Sequence, residues 1–435
     1  MVISVAQMSL FARDNYLSTP AGLLAQYRQR RRRRFHFSID DVEPRAKESM
    51  SERDKDEVQK QLLKQLSDLR RRAFRGSLTM RLMLSTSEKT PTHSHHITKN
   101  LLDLFSKPRT RLATGRRSLL YADDSQIHAL AVTCRHGEVA PSIKAEAGPL
   151  GSLLTDLDLA THSERERDDD RHDWDNSRRF DEAMDRFNET LRDEADFRRR
   201  FGDQAFEGFL RVARQEAQEY LLGRAALRPL DLSMMYDISG RALGLDVADM
   251  WERMFVSTPL RISLSELPQV KGASEVWRQE IDQKLHSFRA QFGRLIDPLV
   301  VPVALEVVIK PPPPSRQRGL HDLDNVLRSY LIPRVVAILN PISHHAFAFD
   351  TGAMKRDAPA LLSDLPSEWK SRLAKPPAST RVGVTRYEVW RLPPCSEGSR
   401  GFVSVAIVSD MTGYGDVFGK IDDEIEEWAE SLERH

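Results

Sequence analysis

The order of elements between residues 34 and 105 recurs at a constant offset of 225 residues, and this repeat limits what the chain can fold into. Arg34-Phe-His-Phe-Ser-Ile-Asp40 alternates apolar and polar residues, the period of a half-buried strand. Its counterpart, Leu260-Arg-Ile-Ser-Leu264, keeps the alternation and the central serine. Ser51 followed by Asp54 is a helix-start signal, and Val58, Leu62, Leu63, Leu66 and Leu69 continue it at helical spacing. Ser49 falls on Ser274, which opens a helix carrying Val276, Ile281, Leu285, Phe288 and Phe292. A second strand, Leu78 to Leu84, falls on the more apolar Val303 to Ile309, and Asn100-Leu-Leu falls on Asn325-Val-Leu. Four elements on one ungapped offset imply an internal duplication. Farther on, Gln126-Ile-His-Ala-Leu-Ala aligns with Arg386-Tyr-Glu-Val-Trp-Arg, which requires about 35 extra residues in the second copy.

Strands alternating with helices in both copies predict an α/β (α+β) chain of two mixed-sheet domains, and 435 residues are enough for them. The expected boundaries are a basic N-terminal arm over 1–34, a first domain over 35–150, a charged helical insertion over 151–254, a second domain over 255–410 and an acidic helix over 411–435. In the insertion, Phe180, Met184, Phe187 and Leu191 share a helical face that Phe197, Phe201 and Phe209 extend. The acidic cluster from Asp168 to Asp175 reads as a solvated helix start rather than a metal site. Ile421, Ile425, Trp428 and Leu432 line one face of the last helix.

A net charge of +1 excludes a polycation that coats nucleic acid indiscriminately. Yet Arg outnumbers Lys 50 to 15, with runs at Arg30 to Arg34 and Arg70 to Arg72. Arg suits phosphate recognition because its planar fork pairs with two oxygens, although a coding sequence rich in G and C favours Arg equally. The run at Arg30 to Arg34 reads either as a disordered arm tracking phosphates or as a solvated edge or an RNA- or nucleus-directed tag. Two cysteines, Cys134 and Cys395, exclude a disulfide scaffold and a cysteine-based zinc site. The longest apolar run, Leu299 to Ile309, is too short to span a bilayer, and no basic segment precedes an apolar stretch at the N-terminus. The expectation is a cytoplasmic protein without membrane contact.

The sharpest chemical feature is His321-Asp-Leu-Asp-Asn-Val-Leu-Arg328, between a Pro- and Arg-rich loop and an apolar helix. Carboxylates two apart on an extended segment point the same way, so Asp322 and Asp324 can converge on one hard cation. Asn325 can cap the following helix, and Arg328, a turn later, can reach a phosphate. His93, His95 and His96 have spacing that suits a transition metal, but read more simply as a polar loop. His344 and His345 read as loop punctuation. There is no Gly-rich phosphate loop, zinc motif or nucleophile elbow.

The strand Val303 to Ile309, the loop Pro311-Pro-Pro-Pro-Ser-Arg-Gln-Arg318 and the Asp322-Leu-Asp-Asn325 motif followed by a helix resemble the RusA family of Holliday-junction resolvases. That family's second element, a double Asp of the form Asp-Asp-x-x-Ile, is found as Asp123-Asp124-Ser-Gln-Ile127, but in the first copy. The resemblance covers roughly 35–150 and 255–410 and implies a metal-dependent, structure-selective endonuclease acting on branched DNA with magnesium. By carry-over, Asp322, Asp324 and Asp124 are the expected metal ligands, with Asp123 completing the catalytic acids. Arg328 and Asn325 are expected at the DNA, with Arg316, Arg318, Arg116 and Arg117 as further candidate contacts.

The departures from that pattern are specific. In the first copy Ile97 and Lys99 stand where the motif aspartates belong, and Asp103 stands where the basic residue belongs. In the second, Gly383 and Val384 replace the double Asp, with Asp350 a remote substitute. Each copy thus holds half a site. The resemblance implies a pseudo-dimer within one chain whose protomers each build their own pocket, so that the two acidic pairs lie apart. If the copies instead pack with those pairs facing each other, the site is composite. The contrasting functional reading is a degenerate DNA-binding or assembly protein that kept the fold and lost the chemistry.

Overall fold

The computed structural model describes residues 16–87, 94–112, 114–136, 138–166, 170–236, 252–256, 260–268, 274–317, 322–341, 383–384, 386–410 and 415–434, with side chains from 178 onward in the segment that begins at 170. In the first half α1 (Pro20–Arg33), β1 (Phe35–Asp40), α2 (Glu52–Asp68), β2 (Leu78–Thr86) and α3 (Ser94–Ser106) follow in order. A 3-10 turn (Asp124–Gln126), β3 (Ile127–His136) and β4 (Ser142–Pro149) complete it. The helices α4 (Leu150–Glu166), α5 (Asp170–Arg192), α6 (Glu194–Phe201), α7 (Asp203–Gly223) and α8 (Pro229–Tyr236) form the insertion. The second half holds β5 (Arg261–Leu264), α9 (Ser274–Ile296), β6 (Val303–Lys310), α10 (Leu323–Val326), a π turn (Leu327–Leu331) and α11 (Ile332–Leu339). It ends in β7 (Arg386–Arg391), β8 (Phe402–Ser409) and α12 (Val417–Arg434).

All eight strands join one mixed sheet in the order β1-β4-β2-β3-β7-β6-β8-β5. The order reads the same from either edge. In each half the first strand is antiparallel to the fourth, the fourth to the second, and the second runs parallel to the third. The register repeats as well: Phe37 and Leu82 both pair with Ala145, while Ile262 and Val307, each 225 residues later, both pair with Val405. For the third strand the sequence alignment is off by three residues. Leu82 pairs with Val132 and Val307 with Val389, so Arg386 corresponds to Ala129, not Gln126. The counterpart of Asp124 then becomes Arg381, outside the described residues, and not Val384.

One face of the sheet buries Leu82, Leu130, Val132, Val307, Tyr387 and Val389 beneath α2, α3, α9 and α11. The other buries Ala129, Ala131, Val308 and Trp390 beneath α1, α4, α8 and α12. Covered on both sides, Val303–Lys310 is buried at every residue, and apart from Glu306 and Lys310 it is apolar throughout. At the centre β3 and β7 run antiparallel, Ala131 opposite Glu388. This pairing places the end of β7, and of its parallel neighbour β6, beside the start of β3.

The arginine run is not a disordered arm. Arg30 to Arg33 close α1, which Thr19 caps by accepting from the Gly22 N–H at 3.2 Å. Arg34 is buried and bonds Glu146 at 3.0 Å, Asp156 at 2.9 Å and Asp422 at 2.8 Å. Arg30 bonds Asp156 at 2.6 Å, and Arg31 pairs with Glu426 of α12. Within the insertion, the apolar face expected as one continuous helix is broken at Asp193 and Gly202 into α5, α6 and α7. Among the described residues no helix is long and apolar enough to cross a membrane.

Candidate metal centre

The β3–β7 pairing brings the two half-motifs together. One ligand oxygen from each of Asp124, Asp322 and Asp324 lies within 4.8 Å of the others. The acidic pairs do not lie in separate pockets: the site is composite, because the chain leaving β6 arrives at the edge of the sheet where β3 begins. Asp124 enters on the 3-10 turn before β3, and Asp322 and Asp324 open α10. In an octahedral magnesium site opposite oxygens stand about 4.2 Å apart and adjacent ones about 3 Å, so closure by up to ~2 Å would let all three ligate.

Asp324 is 1% exposed, and neither of its carboxylate oxygens has a hydrogen-bond partner. Burial pushes its pKa up to about 6; Lys99 opposes the rise, and Asp124 and Asp322 add to it. A buried carboxylate with no hydrogen-bond donor is costly, and the Lys99 ammonium at 3.8 Å offsets that cost only in part, so a directly coordinated cation would relieve it. Burial also raises Asp322, against the pull of Lys99. An all-oxygen donor set of this kind suits a hard divalent ion.

Lys99 lies among these acids. Its Nζ donates to Asp124 at 2.9 Å and stands 3.8 Å from Asp324 and 3.9 Å from Asp322, with Asp103 at 3.4 Å. Burial disfavours its charge, but the bond to Asp124 and the charges of Asp324 and Asp103 outweigh that, and its pKa is raised.

Asp123 is not part of the trio. Its carboxylate accepts from Ser125 N–H at 2.9 Å and caps the 3-10 turn, and those bonds hold its pKa down. Asn325 does not cap the helix either: Asp322 takes the cap position, and Asn325 donates to its Oδ2 at 3.0 Å. Arg328 in turn donates to Asn325 Oδ1 at 3.0 Å, so the motif residues brace one another. Arg316 bonds the Ser399 carbonyl and lies 3.5 Å from Glu266, turned toward the β7–β8 connection and the segment after β5. Arg116 is half-buried and Arg117 exposed on the loop between α3 and β3. His95 is buried at the start of α3, its ring 4.3 Å from that of His96. Arg318, His93, Asp350, His344, His345 and the Asp168–Asp175 side chains lie outside the described residues.

The sequence reading passed over Arg391, at the end of β7. It donates to the Ser125 carbonyl at 2.8 Å and so ties the turn bearing Asp124 to the second half. Burial lowers its pKa to about 10, while Asp322 opposes the fall. Its only sequence signal is a cation at the end of an apolar strand. No protein-family model, curated protein or solved structure matches this chain.

Proposed function

We propose that this chain is a metal-dependent, structure-selective DNA endonuclease, a RusA-like pseudo-dimer in a single polypeptide that uses magnesium to cut branched DNA. The observation that carries the reading is the convergence of Asp124, Asp322 and the buried, unpartnered Asp324 from opposite halves of the chain. In that reading the three carboxylates hold one divalent ion, which supplies a water of lowered pKa and neutralises charge building on the phosphate. Asn325 fixes Asp322 in place, and Arg328 and Arg391 flank the site with positive charge that favours a phosphodiester. One composite centre among the described residues predicts a single nick per binding event, not two paired incisions.

The second reading, a DNA-binding protein that has lost its chemistry, draws support from Lys99, whose ammonium already neutralises part of the acidic cluster. Nicking of labelled four-way, flap and linear DNAs, with magnesium or with chelator, separates the two. The endonuclease reading expects a magnesium-dependent nick on branched DNA that Asp324→Asn and Asp124→Asn each abolish. Salt-sensitive preference for branched DNA without cleavage would leave only the binding reading.

A further inference from the structure

We infer that Lys99 is a resident cation that takes the place of a second divalent ion, so that the acidic centre holds one metal and not two. This rests on reading Asp124, Asp322 and Asp324 as a metal site. The first ground is position. The register that repeats at 225 residues carries Lys99 onto Asp324, and these two equivalent residues face each other, Nζ 3.8 Å from Oδ2. At the position equivalent to an acidic residue the chain carries a basic one, whose long side chain brings its ammonium within ion-pair distance of that acid.

The second ground is charge and distance. Three carboxylates and one ammonium leave a net charge of −2, which a single divalent ion cancels. The Lys99 Nζ lies within 4 Å of an oxygen from each of the three acids and is hydrogen-bonded to one of them. Two-metal sites place their ions about 3.5 to 4 Å apart and share carboxylates between them. An ammonium held by the same carboxylates fills that second position and repels any further ion from it. Asp103, at 3.4 Å, and the Asp124 bond hold it there from both sides.

The test is manganese stoichiometry on the full-length chain, by calorimetry and by electron paramagnetic resonance, comparing wild type with Lys99→Met and Lys99→Gln. Glutamine keeps a hydrogen bond to Asp124 without the charge, which guards against a misfolded methionine variant. Expected are one manganese ion in wild type and two in each folded variant, with the spin coupling of a close pair and at least a tenfold tighter first ion. One ion of unchanged affinity in both variants, or two ions in wild type, overturns the role of Lys99 while leaving the metal site intact. If neither wild type nor variants bind manganese, the metal-site reading itself falls, and this inference with it.

Discussion

Asp324→Asn should stabilise the metal-free protein, although it removes the residue on which the proposed chemistry most depends. An acid moved from 3.8 to about 6 by burial carries roughly 3 kcal/mol against its charged form. Asparagine has the same shape and no charge, so it recovers that amount, less about 1 kcal/mol for its own unpartnered N–H groups. The net gain above pH 7 is therefore about 2 kcal/mol, or roughly 2 to 4 °C in Tm for a chain of this size. Because folding raises the pKa of this acid, its stability is fully present below 3.8 and is lost as pH rises through about 6. The variant should therefore melt slightly below wild type below about pH 4, cross it near pH 4.5 and lie above it from pH 7. Thermal melting in chelator across that range measures the crossing. Manganese should then reverse the order, stabilising wild type by about 2.7 kcal/mol at a hundredfold excess over Kd and leaving the variant unmoved. A variant less stable than wild type at pH 8 in chelator would show that Asp324 is satisfied in the free protein, and the case for a cation there would lose its main support.

Two further perturbations test other parts of the structure. Arg34→Ala strands Glu146, Asp156 and Asp422 around a lost partner and should cost about 3 to 5 kcal/mol in urea unfolding. Replacing the exposed Arg32 and Arg33 by Ala should change stability by less than ~0.5 kcal/mol; a neutral Arg34→Ala would return the run to the role of a free arm. On the opposite face of the sheet from the metal centre, burial and then the charge of Glu306 raise Glu388 to about 8. Glu388 accepts from Trp390 Nε1 and Val417 N–H, with Asp416, Arg386 and Lys420 around it. Its stabilising contribution is complete below pH 4.5 and lost as pH rises through about 8. Glu388→Gln should therefore gain on wild type steadily between pH 5 and 9, and a constant difference over that range would rule out the titration.

Local pattern made the strand–helix–strand–helix unit readable. β1 and β5 alternate, and Ser51 caps α2 by accepting from Asp54 N–H at 3.1 Å, as its sequence spacing predicts. β4 and β8 are illegible in the sequence for different reasons. Ser142–Pro149 is built of small and charged residues with little strand character of its own, whereas Phe402–Ser409 is strongly apolar but lies past the end of the aligned segment. The arginine run misled because its partners Asp156, Asp422 and Glu426 are more than a hundred residues away, and nothing local distinguishes a paired run from a solvated one. The acidic residues were legible singly; their meeting was not. It depends on β3 pairing with β7, a contact between halves that no periodicity within either half encodes.

That contact also explains why two defective half-motifs need not add up to a defective site. If each half had closed its own pocket, Asp322 and Asp324 would lack a third acid, and Asp123 and Asp124 would face Ile97 and Lys99. Antiparallel pairing at the centre of the sheet instead carries the start of one half's third strand to the motif helix of the other. The acids of the two halves therefore complement each other. Lys99 comes to rest among the three carboxylates, and the counterpart of Asp124 falls at Arg381. Among the described residues the outcome is one asymmetric acidic centre, with the ammonium of Lys99 beside its three carboxylates. In such a centre Lys99→Asp would exchange the ammonium for a fourth carboxylate, taking the summed charge of these four side chains from −2 to −4 and making the fold more dependent on a bound cation.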